Sequence, residues 1–229
     1  MQVERFPSYA KEKWQQPYQL ARIFGGVAVG MFLINRVYTQ GQTVTFFLGA
    51  LFGVFALKSL MAGFGARIGD LGEDRIEEAL ENLSDQYILI RNWVPPSDSK
   101  KQGDVDFILL GPFGILVIEA KTYTVPAKCV GKRWWIKRSN GSWRPIKSVS
   151  QQLTKNVSAV SKAFGTNATG VVVFNDRATL TLEGPTVKVI RRKELHAFVL
   201  SLPNNGMTSK ELWTKLNLGK TPEDLPSAA

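Results

Sequence analysis

Two apolar runs, residues 105–110 and 114–118, flank Gly111-Pro112-Phe113-Gly114, and this pattern constrains the fold more than any other in the chain. Glycine and proline at that spacing turn the chain tightly. Runs of five or six residues rich in Val, Ile, Leu and Phe are too short for helices but suit strands buried on both faces. The predicted unit is a β-hairpin inside a sheet. Charge marks its open end: Gly103-Asp104-Val105-Asp106 leads into the first run, and Glu119-Ala120-Lys121 leaves the second. Antiparallel pairing can bring Asp106, Glu119 and Lys121 to one corner of the sheet.

Two carboxylates at one corner suit a hard divalent cation, which prefers oxygen ligands. A neighbouring lysine can position or deprotonate a water, or stabilise charge on a phosphate. That set of groups is what phosphodiester hydrolysis needs. Asp104 and Asp106 share a strand face by period two. Asp106 lies deeper in the apolar run and is favoured, with Asp104 solvating the strand edge. An acid-x-Lys triplet is common by itself, and its weight comes from the upstream aspartate.

The chain has 229 residues, 44% of them hydrophobic, and a net charge of +10. Such a charge favours an anionic partner, either nucleic acid or an anionic membrane surface. The single cysteine, Cys129, excludes an internal disulfide and a multi-cysteine zinc site. The single histidine, His196, excludes chemistries built on several histidines. It reads as an ordinary helix residue.

Two apolar segments, 23–38 and 43–65, follow a polar N-terminal stretch, 1–22. Crossing a bilayer takes about 20 apolar residues. The second segment meets this, and the first does so if Arg36 snorkels to the interface. Gly26 and Gly30, and likewise Gly49 and Gly53, stand at i, i+4, a spacing that lets membrane helices approach and offers a face to a membrane-protein partner. The short link 39–42 demands an antiparallel hairpin. Lys11, Lys13 and Arg22 precede the pair and Arg67 follows it, while the link carries no charge. The positive-inside rule then predicts a two-span protein of the cell membrane with both ends cytoplasmic.

Beyond residue 69 the pattern is α/β. Gly72-Glu73-Asp74-Arg75 opens a predicted helix with Ile76, Ala79, Leu80 and Leu83 on one face. Glu73 lies near that face, where it needs a partner or a metal; the equal alternative is a partly exposed first-turn acid that stabilises the helix start. Residues 87–94 read as a strand, 97–102 as a polar loop, and 132–138 with 142–146 as a hairpin turned by Asn140-Gly141 in a type I′ turn. A helix is predicted over 148–164, strands over 170–174 and 186–190, helices over 192–202 and 208–216, and a loose tail over 222–229. Gln152 and Asn156, one turn apart on the first of these helices, can point at the site, with Gln151 in competition. The resulting domains are 1–22, a transmembrane hairpin 23–66, an α/β domain 67–203, and a C-terminal helix and tail 204–229.

Residues 121–162 contain ten Lys or Arg and no acid. Lys128, Lys132, Arg133, Lys137, Arg138, Arg144 and Lys147 alternate there with Trp134, Trp135 and Trp143. Basic groups contact phosphates and exposed aromatics stack on unpaired bases. The same residues suit lipid headgroups. Nucleic acid is the favoured partner, and the lipid bilayer the second. Some of the tryptophans belong to the core.

These residues together resemble the nuclease-related domain, NERD, of the restriction-endonuclease-like PD-(D/E)XK superfamily. The resemblance runs over about 71–200. It rests on Gly72-Glu73, on the stretch from Val105-Asp106-Phe107 through Gly111-Pro112-Phe113-Gly114 to Glu119-Ala120-Lys121, on Gln152 and Asn156, and on Gly170-Val171-Val172-Val173-Phe174. Phe107 stands where the family usually has histidine, and Val149 where it has proline. The resemblance implies a restriction-endonuclease-like mixed sheet flanked by helices, here preceded by the transmembrane hairpin. It implies Mg²⁺ (or Mn²⁺) held by Asp106, Glu119 and Glu73, with Lys121 catalytic and Gln152 supporting. The expected activity is metal-dependent hydrolysis of DNA or RNA on the cytoplasmic side. A non-catalytic nucleic-acid-binding or docking module, and a structural subunit of a membrane complex, are the alternatives.

Overall fold

The computed structural model describes residues 1–5, 9–37, 42–95 and 103–215. The chain forms two compact units, Ser8–Leu71 on the one hand and Met1–Pro7 with Gly72–Ala229 on the other. The loop 97–102, the tail 222–229 and the link 39–42 except its last residue lie outside the described residues.

The chain opens with a strand, β1 (Gln2–Arg5), followed by helices α1 (Tyr9–Val37) and α2 (Gln42–Leu80). Two windows, Gln15–Ile34 and Phe46–Phe64, are long and apolar enough to cross a membrane, with mean hydropathies of 1.3 and 1.8. The first begins at Gln15 rather than at residue 23 and takes in Arg22. Ile23, Phe32, Phe47 and Met61 are each more than half exposed. Between the helices, the Phe24 ring lies 5.9 Å from both Phe52 and Phe55. Of the paired glycines, Gly49 approaches the other helix: a Cβ there would lie 3.6 Å from the Ala28 carbonyl oxygen. A Cβ at Gly26, Gly30 or Gly53 would meet nothing within 4 Å.

The expected fresh helix at Gly72-Glu73 is corrected. Helix α2 runs unbroken to Leu80, so these acids are interior residues and meet no helix N-terminus. The glycine has a different cause: a Cβ on Gly72 would lie 1.8 Å from Thr122 Cγ2. Close approach to the chain leaving the central hairpin outweighs the ordinary cost of glycine in a helix, about 1 kcal/mol.

The remaining elements are β2 (Ile88–Trp93), β3 (Val105–Gly111), β4 (Gly114–Lys121), β5 (Ala127–Val130), β6 (Arg133–Lys137) and β7 (Trp143–Ile146). They are followed by α3 (Val149–Phe164), β8 (Ala168–Phe174), β9 (Leu180–Glu183), β10 (Lys188–Arg191), α4 (Leu195–Leu200) and α5 (Ser209–Lys215). Six strands form a mixed sheet in the order β1-β2-β3-β4-β8-β10. The hairpin β3–β4 is central and antiparallel, turning at Gly114 with φ 103°. Strand β8 joins β4 in parallel.

Both faces of this sheet are covered, which explains the near-continuous apolar runs. One face carries Ile108, Leu110, Val117 and Val172 against Leu153, Val160 and Phe164 of α3 and Trp213 of α5. The other carries Leu89, Phe107, Leu116 and Val173 against Ile76 and Leu80 of α2 and Leu195 and Val199 of α4.

A second sheet has the order β7-β6-β5-β9. Its β6–β7 turn differs from the expected type I′. Among the described residues Asn140 has no positive φ; only Gly141 does, at 83°. Gly141 N–H donates to the Arg138 carbonyl at 2.9 Å and Arg138 N–H to the Ser142 carbonyl at 2.8 Å. This is a longer turn closed by a left-handed glycine.

Candidate active site

The register of the central hairpin builds the site. Phe107 pairs with Ile118, so Asp106 stands opposite Glu119 on the next strand. By period two, Asp106, Glu119 and Lys121 project to the sheet face covered by α3. Glu119 is fully buried. One of its oxygens accepts from Lys121 Nζ, and the other accepts from Asn156 Nδ2 at 2.9 Å. Asp106 Oδ2 accepts the Ala120 N–H at 2.8 Å, and its Oδ1 makes no hydrogen bond among the described residues. Asn156 reaches the site because α3 lies close on β8: a Cβ at Gly170 would come within 2.6 Å of Val157 Cγ2. Ser148 caps that helix, accepting the Gln151 N–H at 3.2 Å.

The charges in this cluster oppose and support each other. Burial pushes the Asp106 carboxyl well above the ordinary range, and the like charges of Glu119 and Glu73 push it further. The Lys121 charge and the Ala120 N–H pull the other way without prevailing. For Lys121, burial alone would lower the pKa, but Glu119 and Asp106 outweigh it and raise it. Lys121 is therefore held as an ammonium, suited to stabilising negative charge rather than to accepting a proton. Burial and Glu119 raise the neighbouring Tyr123 hydroxyl against the pull of Lys121.

Glu73 belongs to α2, whose Ile76 and Leu80 pack on the face that carries Phe107. Its Oε2 lies 3.4 Å from Arg91 Nη2. Arg91 also bonds Asp74 at 2.6 Å and Glu77 at 3.3 Å, and its guanidinium lies 5.8 Å from the centre of the Phe107 ring. Glu73 thus has a cationic partner while its charge still reaches Asp106. Asn92 takes φ +57° at the register position facing Asp106. A non-glycine residue in that region is uncommon, and asparagine tolerates it best.

Among the described residues, no group of three or more His, Cys, Asp or Glu side chains forms a preassembled metal cage. The donor chemistry nevertheless fits a divalent cation. Asp106 and Glu119 face each other across two strands, their charges conflict, and Asp106 has an unengaged oxygen. A hard cation accepts such oxygens and relieves such a conflict.

The other expected residues are dispersed. Gln152 and Gln151 are exposed, while Asn156, one turn beyond Gln152, makes the contact to Glu119. Asp104 lies partly buried just before β3. Cys129 is buried, and burial raises its thiol, which suits no nucleophile. Of the basic set, Lys128, Arg133, Lys137 and Arg144 lie on strands of the second sheet, and Lys132, Arg138 and Lys147 lie in its connections. Trp134 is core: its Nε1 donates to Ser150 Oγ at 2.9 Å and its ring stacks on Phe174. Arg91 went unnoticed in the sequence. Its signal was an arginine ending the run Ile88-Leu89-Ile90, which a buried strand accepts only with partners.

No curated protein and no solved structure matches the chain. A family model described as the nuclease-related domain, NERD, does match residues 68–175, from the last turns of α2 through β8. The match contains Glu73, Asp106, Glu119, Lys121 and Asn156, and leaves β1, β9, β10, α4 and α5 outside. The chain therefore carries a nuclease-related domain at residues 68–175.

Proposed function

We propose that the protein is a membrane-anchored, metal-dependent nuclease of PD-(D/E)XK type acting on the cytoplasmic side. The observation that carries this reading is the convergence of Asp106, Glu119 and Lys121 at one end of the central hairpin. Asp106 and Glu119 would hold Mg²⁺ or Mn²⁺, with Glu73 near them. When bound, the cation supplies a water of lowered pKa and neutralises phosphate charge. Lys121, kept protonated by Glu119, stabilises the charge that develops on the phosphate. Asn156 holds Glu119 in place. Basic residues of the second sheet bind the nucleic-acid backbone.

Membrane attachment is supported by the two apolar windows, and the side by Lys11 and Lys13 before and Arg67 after them. β1 precedes both windows and β2 follows both, yet the two strands pair in one sheet. Hydrogen-bonded strands share one compartment, and this pairing supports the reading that both ends of the hairpin face the same side.

The test uses the full chain in lipid nanodiscs with labelled DNA and RNA. Cleavage is expected with Mg²⁺ or Mn²⁺ and not with chelator. It should fall on the order of 100-fold or more in Lys121→Met and Glu119→Gln. Absence of metal-dependent cleavage, or cleavage unchanged in both variants, overturns the reading. One observation favours a non-catalytic binding module instead: both Glu119 oxygens are already engaged by Lys121 and Asn156. That module would bind nucleic acid in the same assay without turnover.

A further inference from the structure

The second sheet has two unlike faces, and its register sorts them. Cys129, Trp134 and Ile146 form one row across β5, β6 and β7, and Cys129 and Trp134 are buried in the core. The next row, Lys128, Trp135 and Pro145, lies on the opposite face. Arg133 flanks it beside Val130, and Lys137 flanks it beside Trp143. One face therefore carries three cations and two indoles. Arg144, facing Ile136, belongs to the other.

This outer face is available. Arg133 and Lys137 are exposed, and Trp143 is 43% exposed. Among the described residues no carboxylate pairs with Arg133 or Lys137. Lys128 pairs with Glu183 at 2.8 Å, at the β9 edge. Trp135 and Trp143 are diagonal cross-strand neighbours, a relation that puts side chains about 7–8 Å apart, within reach of aromatic rings. The sheet also springs from the site. Residues 122–126 lead from Lys121 into β5, and residues 175–179 lead from β8, the partner of β4, into β9. Asn175 N–H donates to the Lys121 carbonyl at 3.1 Å, closing the junction.

We propose that this face is a stacking platform that delivers single-stranded nucleic acid to the carboxylate cluster. The inference rests on the nuclease reading above and names its substrate class. Indoles can stack only on bases whose faces are open, and a duplex hides those faces within its own stack. Lys128, Arg133 and Lys137 meet the phosphates between them. A lipid surface would instead ask for a continuous apolar stripe entering the acyl boundary. Here indoles and cations interleave.

The test measures binding of a labelled oligothymidylate and of a duplex of equal length to the full chain in zwitterionic nanodiscs, in EDTA. The single strand should bind more tightly. Trp135→Ala and Trp143→Ala should each weaken it about tenfold. Their Phe counterparts should retain most of the affinity, with thermal midpoints confirming the fold. Arg133→Gln with Lys137→Gln should flatten the salt dependence. Equal binding of duplex, or indifference to both tryptophans, overturns the platform. So does quenching by brominated phosphatidylserine that disappears in the Trp135→Phe/Trp143→Phe variant, because the face would then lie on lipid. Binding is read without metal, so the two ideas fail separately. Tryptophan-dependent binding with no metal-dependent cleavage sinks the nuclease reading alone. Cleavage that ignores both tryptophans sinks the platform alone.

Discussion

Asp106 is held against its own charge. Burial, Glu119 and Glu73 together raise its carboxyl, so the folded chain binds a proton there that the unfolded chain releases. Stability associated with that proton is present at low pH and lost as pH rises through the folded-state value. In chelator at neutral pH, Asp106→Asn should therefore raise the thermal midpoint, and in a separate assay with Mg²⁺ it should abolish cleavage. A lower midpoint would mean the carboxylate is already compensated. Asp176 is the opposite case. Burial alone would raise it, but the Lys193 N–H at 2.8 Å and the Arg192 guanidinium at 2.7 Å lower it. Its contribution is present above the unfolded carboxylate value, about 3.9, and is lost as pH falls through the lowered folded value. Asp176→Asn should cost about 1 kcal/mol at neutral pH, and parent and variant midpoints should converge in acid.

At the scale of elements, β1 is the strand the sequence concealed. Gln2-Val3-Glu4-Arg5 has one apolar residue, and local pattern gives it no strand signal. Its pairing comes from β2, which leaves an edge to be filled, and Val3 is buried in the core on the α2 side. Val3→Asp should destabilise the domain by about 2–3 kcal/mol, read as a lower thermal midpoint with the helical signal of α1 retained. A fragment starting at residue 67 would lack this strand, which is why the full chain is the right reagent. β5 and β9 were hidden for a similar reason: Ala127-Lys128-Cys129-Val130 and Leu180-Thr181-Leu182-Glu183 are four-residue strands whose partners lie far along the chain. α2 shows the reverse error. Gly72 resembles a helix boundary, yet the break exists only in the pattern, because the glycine answers Thr122 across space.

For the whole molecule, the pairing of β1 with β2 predicts a topology. With Cys129 replaced by Ser, a cysteine at Gln40 should be labelled by an impermeant reagent from outside the cell. One at the exposed Lys137 should be labelled only after permeabilisation. The opposite pattern would invert the assignment. The sequence by itself determined the elements whose signals are local: the central hairpin with its glycine-proline turn, the apolar helices, α3, and the pairing of Asp106 with Glu119 and Lys121. Those follow from periodicity and turn chemistry over fewer than about twenty residues. Only the tertiary structure decided that Glu73 pairs with Arg91 of β2, that Asn156 rather than Gln152 touches Glu119, and which of the basic residues share a face with Trp135 and Trp143. Helix rotation, strand register and choice of partner strand are set by packing between distant segments, and no local spacing encodes them.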